Sequence, residues 1–138
     1  MTTRTPILAA NWKMHKTTAE AEAFVDAFLP LVKDARCDVV LAPAFGALHC
    51  VGKALGGSAV ALAAQNVNPE PKGAFTGEVS PGMLVDLGCR YGIVGHSERR
   101  ALYGETDDFV AAKALALLDA SIRPIVCVGE TDEEREAG

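Results

Sequence analysis

The ten residues Tyr91–Arg100 read YGIVGHSERR and place a short apolar run directly before a polar cluster. The run, centred on Ile93 and Val94, shows no alternation of polar and apolar residues. Continuous apolar runs of this kind are typical of strands that are buried on both faces of a parallel sheet. Proteins with such sheets bind ligands at the carboxyl ends of the strands, where residues 96–98 would lie. The segment therefore predicts a parallel α/β fold with a functional edge.

Four more apolar runs follow the same pattern, and helical segments separate them. The runs are Ile7–Ala10, Val39–Ala42, Val60–Ala64 and Ile125–Val128. Strands and helices that alternate in this way indicate a parallel sheet with right-handed crossovers. Two architectures fit the pattern. One is a doubly wound open sheet of five strands, and the other is part of an eight-stranded barrel, which normally needs about 250 residues.

Capping signals mark the starts of most of the predicted helices. Thr17 and Glu20 have the spacing of a capping box, which satisfies free backbone N–H groups of the first turn. Pro30 should kink or end that first helix early, because proline cannot donate a backbone hydrogen bond. Four complete helices are predicted to begin near Thr17, Ala47, Ser80 and Thr106, and a fifth begins near Asp132.

The composition argues against several classes of function. The chain has 138 residues, with 13 Lys and Arg against 18 Asp and Glu, which gives a formal net charge of −5. Nucleic-acid binding favours a dense basic face, so this balance argues against it. No apolar run approaches the roughly 20 residues of a membrane span. Residues 1–6 do not resemble a signal peptide, and we therefore expect a cytoplasmic protein.

Cysteine and histidine do not form a metal-binding pattern. The four cysteines include no C-x-x-C pair and lie in or beside apolar segments, which favours reduced thiols. The three histidines have no partner four residues away and no neighbouring cysteine cluster, so we expect no metal site.

Polar residues follow four of the five predicted strands. Each has a plainer interpretation, as a strand end that meets solvent, a turn residue, a core histidine or, for Arg99 and Arg100, part of a structural ion-pair cluster. Their concentration at one edge nevertheless favours a binding or catalytic site. They are Asn11 and Lys13 after the first strand, Gln65 and Asn66 after the third, His96, Ser97 and Glu98 after the fourth, and Glu130 after the fifth.

Two familiar catalytic signatures are incomplete or absent. Gly95, His96 and Ser97 resemble the start of a G-x-S-x-G nucleophile elbow, but position 99 is arginine and no histidine follows the serine. The first strand opens into NWKMH and carries no G-x-G-x-x-G fingerprint. Acyl-transfer hydrolysis and dinucleotide binding are therefore disfavoured.

Five segments of the chain resemble the triosephosphate isomerase family. The resemblance implies an isomerase with a (β/α)8 barrel that interconverts dihydroxyacetone phosphate and glyceraldehyde 3-phosphate in glycolysis and gluconeogenesis, without a cofactor. It also implies that residues 1–138 are the N-terminal part of a single barrel domain, with five parallel strands and four complete helices, truncated at the start of the fifth helix. The segments are AANWKM (9–14), AQNV (64–67), GAFTGEVS (73–80), YGIVGHSERR (91–100) and CVGE (127–130).

The resemblance also implies roles for individual residues. Asn11 and Lys13 bind substrate, and Lys13 supplies a fixed positive charge. His96 is the electrophile that polarises the carbonyl, and it lies near a helix that begins after Gly95. Ser97 and Glu98 lie behind the residues that contact substrate, with Glu98 near Lys13. These roles fit the chemistry, because an enediolate needs a cation and a hydrogen-bond donor where negative charge develops. The residues implied at the interface of a homodimer are Met14, Thr76, Gly77 and Glu78.

The family's catalytic base is a glutamate in a stretch that resembles YEPVW, and residues 1–138 contain no such stretch. We therefore expect the chain alone to be inactive, because a general base contributes about 10²–10⁴-fold. The implied partners are triose phosphate and either a complementary barrel half or a second copy of the chain. The alternatives are a noncatalytic half-barrel that self-associates, an anion-binding α/β module and a flavodoxin-like domain.

Overall fold

The computed structural model describes residues 4–138, which form one five-stranded parallel sheet covered by helices. The strands are β1 (Ile7–Asn11), β2 (Asp38–Ala42), β3 (Ala61–Ala64), β4 (Cys89–Val94) and β5 (Arg123–Val126). Their spatial order follows the chain from β1 to β5, and each neighbouring pair is parallel. A doubly wound sheet would reverse its order at a switch point. The unbroken order therefore confirms the partial (β/α)8 barrel.

Six helices accompany these strands within residues 4–138. Four correspond to the predicted complete helices, one begins where the fifth was expected, and α4 is the short helix that the resemblance implies after Gly95. They are α1 (Thr18–Val32), α2 (Phe45–Ala54), α3 (Pro81–Asp86), α4 (Ser97–Tyr103), α5 (Asp107–Asp119) and α6 (Asp132–Ala137).

The capping box before α1 forms as the sequence predicts. The Glu20 N–H donates to Thr17 Oγ1 at 3.4 Å, and the Thr17 N–H donates to Glu20 Oε2 at 2.8 Å. Of the two expectations for Pro30, a kink or an early end of α1, the early end is wrong, because the helix continues to Val32. Pro30 lies in the last turn, where it forfeits a single backbone hydrogen bond, and Val32 packs against the core.

The core has two layers, one on each face of the sheet. Between sheet and helices lie large aliphatic side chains such as Leu41, Leu48 and Leu117. The opposite face is lined by smaller residues of β2 and β3 together with Tyr91 and Ile93 of β4. Successive strand residues face opposite sides, which distributes the apolar runs between the two layers.

The sequence predicts that the strands are buried on both faces, and the structure shows this for the three inner strands only. β2, β3 and β4 are largely buried, whereas Ile7 and Leu8 of β1 are 45% and 64% exposed. Val126 of β5 is 46% exposed. β1 and β5 are the two edges of the sheet, so each has one neighbouring strand to cover it.

Within the described part of the chain, no helix combines the length and apolar character needed to cross a membrane. The signal-peptide expectation concerns residues 1–6, of which 1–3 lie outside the described residues. The four cysteines are free thiols. Among residues 4–138, His, Cys, Asp and Glu side chains form no group that would hold a metal ion.

Candidate active site

The carboxyl ends of three strands bring the predicted site residues to one edge of the sheet. Asn11 ends β1 and Lys13 lies in the turn after it, while Gln65 follows β3. His96 follows β4, and Glu98 lies in the first turn of α4. Hydrogen bonds connect all five residues across the edge, because parallel strands end on the same side of a sheet.

Lys13 has an unusual backbone conformation, with a φ of 54°. This left-handed region costs an ordinary residue about 1–2 kcal/mol. The Lys13 N–H donates to Asn11 Oδ1 at 2.9 Å, and the Lys13 carbonyl accepts from Gln65 Nε2 at 2.8 Å. Among residues 4–138, no side chain accepts a hydrogen bond from the Asn11 amide nitrogen, so its N–H groups remain available at the edge.

Lys13 and Glu98 form a close ion pair. Lys13 Nζ lies 2.6 Å from Glu98 Oε1, and both side chains are about half exposed, at 52% and 47%. The hydrogen bond from Lys13 lowers the pKa of Glu98 below its ordinary value. Exposed pairs of this kind contribute little to the stability of a fold, because water and salt screen the two charges. The pair therefore matters more for directing the ammonium group than for stability.

His96 caps the N-terminus of α4 with its side chain. Its Nδ1 accepts the backbone N–H of Glu98 at 3.2 Å, so Nδ1 carries no proton in this arrangement. The ring proton then lies on Nε2, and the imidazole is a neutral hydrogen-bond donor. Glu98 Oε2 is also 3.5 Å from Nδ1. That contact is an ion pair only for a protonated ring.

Gly95, directly after β4, and Arg100 of α4 fix the position of His96. Gly95 has a φ of 70°, and a Cβ there would lie 2.7 Å from Val110 Cγ1. Arg100 Nε donates to the Gly95 carbonyl at 2.8 Å, and Arg100 Nη1 donates to Asp107 Oδ1 at 2.6 Å. The turn that precedes the histidine is therefore tied both to α4 and to the start of α5.

A buried charge cluster lies behind this edge. The sequence analysis offered Arg99 as part of a structural ion-pair cluster, which the structure confirms, but it missed Lys113 and Glu105. Lys113 Nζ lies 2.9 Å from Asn66 Oδ1 and 2.9 Å from Glu105 Oε1, and Arg99 pairs with the other Glu105 oxygen. Burial works to raise the pKa of Glu105, but hydrogen bonds from Lys113 and Arg99 lower it overall. The signal in the sequence is a lysine at i+3 from Val110, on the apolar face of α5.

An open cavity of about 790 Å³ begins at His96 and extends towards the end of β5. Its lining includes Ser97, Arg100 and Glu130, but neither Asn11 nor Lys13. The Glu130 carboxylate accepts from Arg135 Nε at 2.8 Å. The cavity therefore reaches the site from the β5 side. A molecule bound in it would contact His96 but not Lys13.

The residues implied at a dimer interface are exposed. Met14 is 92% exposed, and Thr76, Gly77 and Glu78 lie exposed in the loop between β3 and α3. The base of this loop is held by Asn68, whose N–H donates to the Val79 carbonyl at 2.8 Å and whose Nδ2 donates to Glu78 Oε1 at 3.1 Å. The loop is therefore braced by its own hydrogen bonds.

Comparisons with known proteins agree on one family. A family model described as triosephosphate isomerase matches residues 6–138. Triosephosphate isomerases of Symbiobacterium thermophilum and Pelobacter propionicus are each 55% identical to this chain, over 98% and 97% of its length. That of Aquifex aeolicus is 50% identical over 96%. The chain spans about half the length of these curated relatives, 53% to 54%. It belongs to the triosephosphate isomerase family.

Proposed function

We propose that this chain supplies the substrate-binding and carbonyl-polarising side of a triosephosphate isomerase active site. The reaction interconverts dihydroxyacetone phosphate and glyceraldehyde 3-phosphate through an enediolate. The observation that carries the proposal is the arrangement of Lys13 and His96 around Glu98. Lys13 Nζ lies 2.6 Å from Glu98 Oε1, and His96 Nδ1 lies 3.2 Å from the Glu98 backbone nitrogen. A cation and a neutral donor are the two groups that an enediolate requires.

Each group has a distinct task in this mechanism. His96 donates its Nε2 proton in a hydrogen bond to the substrate carbonyl, and the bond strengthens as that oxygen becomes negative. A neutral histidine at a helix N-terminus is the established electrophile of triosephosphate isomerases, and the cap geometry of His96 supports this role. Lys13 attracts the substrate phosphate and offsets the developing charge, while the Asn11 amide binds substrate oxygen.

The proton acceptor must come from outside these residues. Residues 1–138 contain no stretch that resembles YEPVW, and the Glu130 side chain is already paired with Arg135. We propose that the isolated chain is inactive and that turnover requires a polypeptide that carries the glutamate and completes the barrel. The half-exposed strands β1 and β5 support this, since unpaired strand edges favour pairing with another strand.

We also propose a homodimer of the completed barrel, in which residues 73–80 dock against the partner subunit and Met14 lines the contact. The exposure of Met14 and the internal bracing of the loop support this assignment. A cytoplasmic location follows from the proposed role in glycolysis and gluconeogenesis.

The test uses a fused protein, defined as residues 1–138 joined to the part of the Symbiobacterium thermophilum relative that follows its similarity to this chain. We expect isomerase activity, and His96→Gln and Lys13→Ala should each lower kcat/KM by at least about 10²-fold. Ser58→Ala is the control and should keep full activity, since it removes only the hydroxyl that donates to the Leu55 carbonyl and accepts the Val60 N–H in the turn after α2. Full activity in the His96→Gln protein would refute the proposal. An inactive fused protein would favour a noncatalytic half-barrel.

A further inference from the structure

The backbone of Lys13 determines where its ammonium group lies. Its φ of 54° is a conformation that residues other than glycine rarely adopt. Rotation of this backbone to an ordinary conformation would redirect the side chain, whose Nζ now reaches Glu98 Oε1 at 2.6 Å. Strained conformations persist only where the surrounding structure holds them. The groups that bind the Lys13 peptide therefore set the position of the cation.

Two side chains hold the Lys13 peptide groups, one local and one distant. Asn11 Oδ1 accepts the Lys13 N–H at 2.9 Å from two residues away. Gln65, from 52 residues away, donates through Nε2 to the Lys13 carbonyl at 2.8 Å. The same nitrogen donates to the Ala42 carbonyl at 2.9 Å. Both hydrogens of the Gln65 amide are thus used, one on the Lys13 carbonyl in the turn after β1 and one on the Ala42 carbonyl at the end of β2.

This arrangement requires two donors on one uncharged nitrogen. The Ala42 carbonyl also accepts the Trp12 N–H at 3.0 Å, so it is fixed by the pairing of β1 with β2. Gln65 therefore bridges from a rigid point on the sheet to the strained turn. A carboxylate of the same shape has no N–H to offer and would repel both carbonyl oxygens.

We propose that Gln65 is a positioning residue for the active site, whose carboxamide locks the turn after β1 in the conformation that directs the Lys13 ammonium towards the substrate. The inference rests on the proposed role of Lys13 as the substrate-binding cation. Gln65 acts through Lys13 and does not itself touch the substrate.

The kinetic test compares variants of the fused protein. Gln65→Ala and the isosteric Gln65→Glu should both lower kcat/KM by roughly 10- to 100-fold, because a misplaced catalytic group costs up to about 10²-fold. We expect KM to rise as well as kcat to fall. Near-normal activity of Gln65→Glu would overturn the proposal, since it would show that Gln65 only fills space. Ser58→Ala again serves as the control with unchanged activity.

A binding test separates action through Lys13 from a general structural effect. The dissociation constant of inorganic phosphate for the fused protein is measured by ³¹P NMR titration. Gln65→Ala should raise this constant when Lys13 is present and leave it unchanged in a Lys13→Ala background. An equal rise in both backgrounds, or no rise in either, would overturn the proposal.

A crystal structure of the Gln65→Ala fused protein gives a third readout. We expect Lys13 to leave the positive-φ region and its Nζ to lose contact with Glu98 Oε1. Retention of both features would overturn the proposal. The phosphate titration and this structure need no turnover, so they judge Gln65 even if an inactive wild-type fused protein refutes the proposed function.

Discussion

Replacement of Lys113 by methionine should destabilise the folded protein strongly. The Lys113 side chain is 1% exposed, and its Nζ lies 2.9 Å from both Asn66 Oδ1 and Glu105 Oε1. Methionine preserves the length and packing of the side chain but removes its charge and both hydrogen bonds. Removing one partner of a buried ion pair costs about 3–5 kcal/mol. Because Arg99 still neutralises Glu105, we expect the lower end, about 3 kcal/mol.

The destabilisation should also depend on pH, through Glu105. Burial opposes ionisation of this carboxyl, but Lys113 and Arg99 hold its pKa below the ordinary value. A carboxyl with a lowered folded pKa contributes stability above its unfolded pKa of about 4.3, and this contribution disappears as the pH falls through the folded pKa. In Lys113→Met, only Arg99 remains to lower the pKa of Glu105 against the effect of burial, so this pKa lies closer to its ordinary value. The difference in the free energy of unfolding between wild type and variant should therefore become smaller at acid pH.

The assay is equilibrium urea unfolding of the fused protein, followed by circular dichroism at pH 7 and at a pH well below 4, where the Glu105 carboxyl becomes protonated in the folded protein. Lys53→Met is the matched control, because Lys53 is exposed in the last turn of α2. Exposed substitutions of this kind change stability by about 0.5 kcal/mol or less. A loss below about 1 kcal/mol for Lys113→Met at pH 7 would refute the buried network as a source of stability. An equal loss at both pH values would refute the part assigned to Glu105.

Two further predictions concern β4. Gly92→Ala would place a Cβ 2.7 Å from Leu117 Cδ1, and we expect overpacking to lower the free energy of unfolding by about 1–3 kcal/mol. An unchanged urea midpoint would contradict this. Burial raises the pKa of Cys89 to about 12, so at pH 8 a thiol reagent should modify Cys89 only after the protein unfolds. Rapid labelling of Cys89 in the folded protein, detected by mass spectrometry, would contradict the burial of this thiol.

The parallel sheet could be predicted from the sequence because its signals are local. Apolar runs mark each strand, and the cap at Thr17 marks the start of α1. Strand limits were less certain, since β4 begins at Cys89 and includes the exposed Arg90, which breaks the apolar run. The short helix α4 has no buried residue, so it leaves no apolar stripe in the sequence. Its N-cap is His96, a residue type that is not a usual capping signal.

The partners within the site could not be predicted, because they depend on distances between separate strands. In the sequence, Gln65 resembles an ordinary turn residue. Its hydrogen bonds to the Lys13 and Ala42 carbonyls span 52 and 23 residues. The Lys113–Glu105 pair is closer in sequence, and a lysine on the apolar face of α5 was a usable signal. The local sequence pattern therefore determines which residues lie at the carboxyl edge of the sheet. The tertiary structure determines which of them form hydrogen bonds and ion pairs with one another.

The most direct test of the central claim is the isomerase activity of the purified chain of residues 1–138, measured with and without a separately produced polypeptide that carries the unmatched remainder of the Symbiobacterium thermophilum relative. We predict negligible conversion of dihydroxyacetone phosphate by the chain alone and a clear rise in conversion when the two polypeptides are refolded together. Rapid turnover by the chain alone would contradict the claim that it holds the cation and the electrophile but lacks the proton acceptor.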